Sequence, residues 1–159
     1  VGYLNSIKKE KLKKNKKILI LGYGGASQAI FYGLLSKGYK KITVFNRSKK
    51  LIKLKNVNSY TKKYSFVDKH LSDADLIINT TPINPLNSKQ TKMINKKTII
   101  SDIVYTPKET HFLKNLKENK KIYGITMLVE QAIPCFRQWF GFSPKIDKML
   151  LKKLNSKIK

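Results

Sequence analysis

Residues 16–29 read Lys-Lys-Ile-Leu-Ile-Leu-Gly-Tyr-Gly-Gly-Ala-Ser-Gln-Ala, and this stretch decides the fold. The apolar run at 18–21 predicts a buried strand, Gly22 predicts a tight turn, and the stretch after the glycines predicts a helix. The turn has the spacing Gly22-x-Gly24-x-x-Ser27, which is typical of dinucleotide-binding loops when a strand precedes it and a helix follows it.

Each small residue of this turn has a physical reason to be there. Gly22 allows a sharp reversal of the backbone, and Gly24 has no Cβ atom, so a pyrophosphate can approach its main chain. Ser27 is small enough for the helix and the strand to pack closely. The helix then presents N–H groups and the positive end of its dipole to an anion. The stretch therefore predicts a phosphate-binding βα unit, with an ordinary glycine-containing loop as the alternative.

The rest of the chain repeats the alternation of strand and helix. We predict strands over 17–21, 41–45, 57–60, 76–79, 98–103 and 121–123. We predict helices over 3–14, 25–36, 48–54, 108–118, 126–140 and 145–157, with a helical turn at 66–71 and a loop at 82–91. The strands are continuous apolar runs, which is typical of a parallel sheet buried on both faces. The predicted fold class is therefore α/β, a Rossmann-like parallel sheet with helices on both faces.

The carboxyl ends of parallel strands meet at one edge of the sheet, where open α/β folds bind their ligands. The residues that follow or end the predicted strands at this edge are Gly22, Asn46, Thr80, Asp102 and Gly124. We interpret Asp102 as a structural cap or turn partner, and the other residues as candidates for ligand contact.

Charge is the most unusual bulk property of the sequence. It has 34 basic and 9 acidic residues, a formal net charge of +25, and Arg47 and Arg137 as its arginines. Nucleic-acid-binding proteins favour arginine at base edges and interleave aromatic with basic residues, whereas the lysines here are scattered. We interpret them as a solvated surface that binds polyanions non-specifically at low salt. We predict no specific nucleic-acid site, with a nucleic-acid-associated protein as the alternative.

The cysteine content, the longest apolar run and the chain length restrict the class of protein further. The single cysteine, Cys135, excludes an intrachain disulfide and suits the reducing cytoplasm. No apolar run approaches the roughly 18 residues of a membrane-spanning helix, so we expect no membrane contact. The 159 residues suffice for one domain with its own core. Because the sequence does not begin with methionine, we expect it to be part of a longer chain.

The residues after the second strand indicate which dinucleotide is bound. NAD-binding sites usually have Asp or Glu here, about 20 residues after the glycines, to hold the ribose 2′-hydroxyl. This sequence instead has Asn46-Arg47-Ser48 followed by Lys49 and Lys50. Arg47 can pair with a 2′-phosphate and stack on adenine, and Ser48 and Lys49 can add hydrogen bonds or charge. The sequence therefore predicts NADP(H), with a basic turn in a basic protein as the alternative.

Several motifs together resemble one family. They are Gly-Tyr-Gly-Gly-Ala-Ser at 22–27, Asn-Arg-Ser at 46–48, Asn-Thr-Thr-Pro at 79–82, Asp-Ile-Val-Tyr-Thr-Pro-Lys-Glu-Thr at 102–110 and Met-Leu-Val-Glu-Gln-Ala at 127–132. On these motifs the chain resembles shikimate dehydrogenase over essentially its whole length. The resemblance implies an NADP-dependent oxidoreductase that reduces the small molecule 3-dehydroshikimate to shikimate, on the chorismate pathway to aromatic amino acids.

The resemblance also implies roles for individual residues. The implied NADP contacts are Gly22, Tyr23, Gly24, Gly25 and Ala26 at the pyrophosphate, Asn46, Arg47, Ser48 and Lys49 at the 2′-phosphate, and Thr80, Thr81, Ile103, Gly124 and Met127 towards the ribose and nicotinamide. Tyr105 and Gln131 are implied to reach the substrate. No catalytic residue and no metal ligand is nominated, because the family's catalytic lysine and aspartate belong to an N-terminal domain. Thr126 departs from the glycine that the family commonly has there.

The resemblance divides the chain into a linker helix (1–14), an NADP-binding Rossmann domain (15–125) and C-terminal helices (126–159) that would pack on the N-terminal substrate domain. Apolar residues expected to form an exposed patch without that domain are Phe140, Phe142, Ile146, Met149, Leu150 and Leu154. Such a patch would promote a homodimer or aggregation. We expect the isolated chain to bind NADP(H) with little or no turnover. The alternatives are a quinate-using relative and a non-catalytic NADP-binding module.

Overall fold

The computed structural model of the chain describes residues 1–54 and 57–158. The strands are β1 (Ile18–Leu21), β2 (Ile42–Asn46), β3 (Leu51–Leu54), β4 (Val57–Tyr60), β5 (Lys62–Lys63), β6 (Leu76–Asn79), β7 (Ile99–Asp102) and β8 (Lys121–Ile122). The helices are α1 (Gly2–Lys8), α2 (Gly25–Ser36), α3 (Asp68–Leu71), α4 (Ser88–Lys92), α5 (His111–Lys114), α6 (Gly124–Phe140) and α7 (Lys148–Lys157), and a 3₁₀ turn at Tyr64–Phe66 precedes α3.

One sheet organises the molecule, with its strands in the order β5-β2-β1-β6-β7-β8. Each neighbouring pair in this sheet runs parallel. The chain runs from β1 outward to β5 on one side and then crosses to β6 on the other side of β1. The crevice at such a switch point, at the carboxyl ends of β1 and β6, is where open α/β sheets bind their ligands. The predicted Rossmann-like α/β fold is confirmed.

Helices cover both faces of the sheet because side chains alternate across β1. Ile18 and Ile20 belong to a core cluster that includes Phe31 of α2 and residues of α1. Leu19 and Leu21 belong to a second cluster with residues of α3 and α5. All four strand residues are at most 3% exposed, and fully burying one such side chain contributes roughly 1.5–3 kcal/mol. The two cores hold the carboxyl edge of the sheet in place.

The predicted helix at 48–54 is wrong, because Leu51–Leu54 form the strand β3. This strand pairs antiparallel with β4 as a separate two-stranded sheet, so the strand predicted at 57–60 is confirmed. The two segments satisfy each other's backbone hydrogen bonds, which a pattern read along one segment does not report. Ile52 is 3% exposed and joins the first core cluster. A hairpin therefore stands between β2 and β5, where a helix was expected.

The helix predicted over 108–118 is only the single turn α5. The Thr110 side chain caps this turn by accepting from the N–H of Leu113. The residues before it are held in a loop by Asp102, whose carboxylate accepts from the N–H of Val104 and from the hydroxyl of Thr110. Proline at position 107 therefore lies in the loop instead of opening a helix.

Two further boundaries differ from the prediction. The stretch 82–91, expected to be a loop, contains the start of α4, where Asn87 and Gln90 form a reciprocal capping box. The first helix, expected to reach residue 14, ends at Lys8. Lys11 then has a φ of 46°, a left-handed conformation that a helix does not continue through.

Two helices follow the last strand of the sheet. α6 has 17 residues and α7 has 10 residues. A groove of about 540 Å³ is lined by Val129 and Ile133 of α6 and by Leu151 of α7. Across residues 1–54 and 57–158, no helix combines the length and the apolar character needed to cross a bilayer.

Candidate functional site

The site begins at the turn after β1, where Gly22 has a φ of +102°. This left-handed conformation favours glycine. A Cβ atom at Gly22 would lie 2.7 Å from Oγ1 of Thr80 and 2.8 Å from Cγ2 of Thr81. The Thr80 hydroxyl also donates to the Leu21 carbonyl over 2.8 Å. The glycine turn and the end of β6 are therefore packed together at the switch point of the sheet.

The start of α2 leaves open space where an anion would bind. A Cβ atom at Gly24 or Gly25 would meet no atom within 4 Å. Gly24 is the N-cap of α2, and because glycine has no side chain, the N–H groups of the first turn receive no side-chain cap from it. The buried Ser27 hydroxyl donates to the Gly22 carbonyl over 2.8 Å and ties the helix to the turn. The result is an open cradle of main-chain N–H groups, which fits a pyrophosphate.

A basic loop follows β2 at the same edge of the sheet. The side chains of Arg47, Ser48 and Lys49 are exposed, and no acidic residue occurs anywhere in 46–67. Burial raises the pKa of Tyr64 to about 12, although the positive charge of Arg47 opposes this shift. A guanidinium in a region without carboxylates suits a phosphate monoester.

A shallow depression of about 460 Å³ lies between the ends of β6 and β7. It is lined by Thr80, Thr81, Pro82, Ile103, Val104, Tyr105 and Thr106. The Tyr105 side chain stands 45% exposed at this surface. Four of the residues nominated from the sequence, two from each strand end, therefore share one concave surface beside the glycine turn.

A buried polar network shapes this depression. Asp102 is 1% exposed, and its carboxylate accepts from the Val104 N–H over 3.0 Å and from the Thr110 hydroxyl over 2.7 Å. The Asn79 amide donates to the same carboxylate over 3.2 Å, and its oxygen accepts from the Thr81 hydroxyl over 2.7 Å. Burial raises the pKa of Asp102, while the hydrogen bonds to its carboxylate oppose that shift. The expectation that Asp102 is a structural turn partner is confirmed.

Asn79 and Thr110 were not predicted from the sequence to belong to this network. Asn79 and Asp102 are register partners in the parallel pair of β6 and β7. Aligning the two strand ends could therefore have placed these side chains together. Thr110 reaches the carboxylate only because the loop after β7 folds back, and no local pattern reports that fold.

Helix α6 begins against the loop that follows β7. A Cβ atom at Gly124 would lie 2.5 Å from the carbonyl oxygens of both Ile103 and Val104, so the position accepts only glycine. One turn later, Met127 packs on the first core cluster. Met127 also lines a groove of about 380 Å³ that includes Ala26 at the start of α2. The groove therefore joins the glycine cradle to α6.

The two residues nominated for the substrate lie on different concave surfaces. Tyr105 lines the depression between β6 and β7, whereas Gln131 lines the groove between α1, α2 and α6. Helix α1 approaches Gln131 closely, because a Cβ atom at Gly2 would lie 2.8 Å from its Cβ atom. The structure brings the nominated cofactor residues to one edge of the sheet but does not bring Tyr105 and Gln131 into one pocket of the described residues.

Similarity to known proteins extends over this site. The family model for shikimate / quinate 5-dehydrogenase matches residues 5–125. Relatives named shikimate dehydrogenase (NADP(+)), from Bacillus mycoides and Methanosphaera stadtmanae, are 35% and 38% identical over 94% and 97% of this chain. The matches cover 58% and 62% of those relatives, so the chain spans about three fifths of their length. The crystal structure of shikimate dehydrogenase from Aquifex aeolicus matches with a TM-score of 0.75 at 27% identity, over 96% of this chain and 58% of that one.

Proposed function

Because the chain belongs to the shikimate / quinate 5-dehydrogenase family, we propose that it is the NADP(H)-binding part of a shikimate dehydrogenase. One observation carries this proposal: an open glycine cradle and a basic loop without carboxylates follow two adjacent parallel strands, β1 and β2. The cradle fits a pyrophosphate, and the loop fits the 2′-phosphate that distinguishes NADP(H) from NAD(H). The names of the relatives, which specify NADP(+), support the same choice.

Each part of the cofactor then has its own group of residues. The pyrophosphate meets Gly22, Tyr23, Gly24, Gly25 and Ala26, the 2′-phosphate meets Asn46, Arg47, Ser48 and Lys49, and the ribose and nicotinamide meet Thr80, Thr81, Ile103, Gly124 and Met127. The contacts of Gly22 with the two threonines and of Gly124 with the loop after β7 support a continuous binding edge.

We propose that the whole protein reduces 3-dehydroshikimate to shikimate. NADPH, when bound, supplies the hydride. The residues of this chain orient the nicotinamide and shield it from water through the side chains of Ile103 and Met127. Tyr105 and Gln131 form part of the wall that holds the substrate. Reduction of a ketone also needs a proton donor, and since we nominate none in this chain, the isolated chain is expected to bind the cofactor without turnover.

Quinate is a second candidate substrate, because the description of the matching family includes it. Steady-state kinetics of the full-length protein with shikimate and with quinate would separate the two. The substrate with the larger kcat/KM is the one whose transition state the enzyme binds better.

We further propose that the protein works in the cytoplasm and that the isolated chain forms a homodimer. The dimer would use an aromatic patch at the end of α6, which we define as Phe136, Trp139, Phe140 and Phe142. These side chains are 38%, 70%, 60% and 57% exposed, and the Phe136 and Phe140 rings lie 5.3 Å apart. A contiguous exposed aromatic surface of this kind is typical of an interface.

Isothermal titration calorimetry of the chain with NADP+ and NAD+ tests the cofactor assignment. We expect NADP+ to bind more tightly, and Arg47→Ala to weaken NADP+ by about tenfold or more, the scale of a lost charge-assisted contact. Arg137→Ala is the matched control, since Arg137 is an exposed arginine on α6. Equal affinities of the unmodified chain for both dinucleotides would refute the NADP(H) assignment. Reduced nicotinamide formed from shikimate by the chain alone would refute the proposed lack of turnover.

A further inference from the structure

The basic loop between β2 and β3 is held by a buried residue that lies outside the proposed cofactor site. This residue is Thr61, between β4 and β5, which is 3% exposed. Its hydroxyl donates to the Ser48 carbonyl over 3.2 Å and accepts from the Lys50 N–H over 2.9 Å. Its own N–H donates to the Lys50 carbonyl over 2.9 Å. One side chain and one main-chain group therefore fix both ends of the short segment from Ser48 to Lys50.

A second bond reinforces the first. The Asn46 amide donates to the same Ser48 carbonyl over 3.1 Å. Because a peptide group is planar, a carbonyl held from two sides fixes the plane of the peptide that joins Ser48 to Lys49. These two residues, together with Arg47, are the ones proposed to meet the 2′-phosphate. Their main chain therefore has a defined shape before a ligand arrives.

The hairpin is the reason that Thr61 can reach this loop. In the ladder of β3 and β4, Leu51 pairs with Tyr60, so Lys50 and Thr61 are the next pair outward. A crossover helix of ten residues would separate its two ends by about 15 Å. The hairpin brings the same two ends into hydrogen-bond contact.

We propose that Thr61 is a positioning residue that sets the preference for NADP(H) over NAD(H) by holding the loop of Arg47, Ser48 and Lys49 in its phosphate-binding shape. This inference rests on the proposed function. A preorganised loop binds with a smaller loss of conformational entropy than a loose one. The 2′-phosphate, which NADP(H) carries and NAD(H) lacks, is the group that this loop is proposed to hold, so the advantage is larger for NADP(H) than for NAD(H).

The test compares the affinities of the chain for NADP+ and NAD+ after Thr61→Val, which keeps the shape of the side chain and removes its hydroxyl. We expect NADP+ to bind about fivefold to tenfold more weakly, the scale of one or two lost hydrogen bonds. The affinity for NAD+ should stay within about twofold, and Thr61→Ser should restore the original preference. Combining Thr61→Val with Arg47→Ala should weaken NADP+ binding by less than the product of the two single-variant fold-changes, because Thr61 acts partly through Arg47.

Thr98→Val is the matched control. Thr98 is also buried at 1% exposure, and its hydroxyl donates to the Ala74 carbonyl over 2.7 Å, near the amino end of β7. This variant should change neither affinity. If Thr61→Val does not fold, as judged by circular dichroism, Thr61→Ala removes the same hydroxyl with less bulk and takes its place.

The possible outcomes separate the two proposals. An NADP+ to NAD+ ratio that Thr61→Val leaves unchanged, in a chain that prefers NADP+, overturns the role of Thr61 and leaves the proposed function standing. Parallel losses for both dinucleotides also overturn it, because they indicate a merely structural residue. If the unmodified chain does not prefer NADP+, the cofactor assignment is refuted, and the role proposed for Thr61 is refuted as well.

Discussion

At Gly24, the residue type that would best stabilise the helix differs from the residue type that leaves room for a ligand. It is the N-cap of α2, with a φ of −88° and a ψ of −173°, and its missing side chain leaves open space. Serine is a better N-cap than glycine because its hydroxyl accepts from the N–H groups of the first turn. Those N–H groups are the ones that a pyrophosphate would use.

Gly24→Ser is therefore expected to keep or slightly raise the melting temperature while it weakens NADP+ binding by about tenfold or more, because the new side chain occupies the cradle. Differential scanning calorimetry and titration calorimetry measure the two effects. Asn87→Ser, which exchanges one capping residue for another at α4, should change neither quantity. Unchanged NADP+ affinity in a folded Gly24→Ser variant would contradict the cradle assignment.

Asp102 is the buried acid whose titration should be visible in the stability of the fold. Its carboxylate accepts from the main chain of Val104 and from the side chains of Thr110 and Asn79. The side-chain NH2 group of an asparagine would replace one carboxylate oxygen, so a hydrogen-bond donor would face groups that are themselves donors. Asp102→Asn is therefore expected to lower the free energy of unfolding at neutral pH by roughly 1–3 kcal/mol.

The pH dependence of this difference has a definite sign. Burial raises the pKa of Asp102 in the folded state, whereas the unfolded value is near 3.8. At a pH between the unfolded pKa and the higher folded pKa, the folded state binds more protons than the unfolded state. The contribution of Asp102 to stability therefore increases as the pH falls from the folded pKa to the unfolded pKa. Urea unfolding at several acidic pH values should show the gap between the native protein and Asp102→Asn widening. A gap that narrows would contradict the direction of the shift.

Helix α6 is an element positioned by the two glycines at its ends. A Cβ atom at Gly124 would lie 2.5 Å from two backbone carbonyl oxygens, whereas one at Gly141 would meet nothing within 4 Å. Gly141 has a φ of +77°, so alanine there strains only the local backbone. Alanine at Gly124 instead forces α6 away from the loop after β7.

We expect Gly141→Ala to cost about 1 kcal/mol of the free energy of unfolding, and Gly124→Ala to cost about 3 kcal/mol or more. Gly124→Ala should also weaken NADP+ binding, because α6 carries Met127 beside the proposed nicotinamide site. Chemical denaturation and titration calorimetry measure these effects. Equal losses of stability in the two variants would contradict the close approach at Gly124.

At the scale of elements, the sequence predicted the strands of the sheet better than the segments between them. The runs at 18–21 and 76–78 are apolar throughout and buried throughout, so a local pattern was sufficient. The segment from 48 to 54 has no such constraint. Its residues 51–54 form the strand β3 because β4 pairs with them, and that pairing depends on residues outside the segment.

At the scale of the whole molecule, the aromatic patch and the positive charge act in opposite directions on self-association. The exposed aromatic side chains at the end of α6 favour contact between copies. The formal net charge of +25 opposes it through repulsion between copies. Salt screens the repulsion without weakening the apolar contact.

The isolated chain is therefore expected to associate more strongly as the ionic strength rises, as measured by sedimentation velocity. Trp139→Ser combined with Phe140→Ser should abolish this association. Tyr32→Ser is the matched control, because Tyr32 is a 62% exposed aromatic residue on α2, outside the patch. Association that weakens with added salt would point to an ionic interface and contradict the role of the patch.

The sequence by itself determined the features that depend on neighbours along the chain. Apolar runs alternate with helix-forming segments along the chain, so the parallel sheet and its ligand edge could be predicted. The same local pattern indicated the open cradle at Gly24 and the basic loop at Arg47. Such features need only the covalent geometry of a few consecutive residues and the need to bury apolar strands.

Only the tertiary structure decided the features that join distant residues. Thr61 meets Ser48 because a hairpin forms, Thr110 meets Asp102 because a loop folds back, and Gln131 faces α1 because two helices pack closely at Gly2. Each of these contacts brings together residues whose separation along the chain carries no periodic signal. These contacts are stabilised by strand pairing and close packing across the fold. The sequence of one segment alone therefore could not have predicted them.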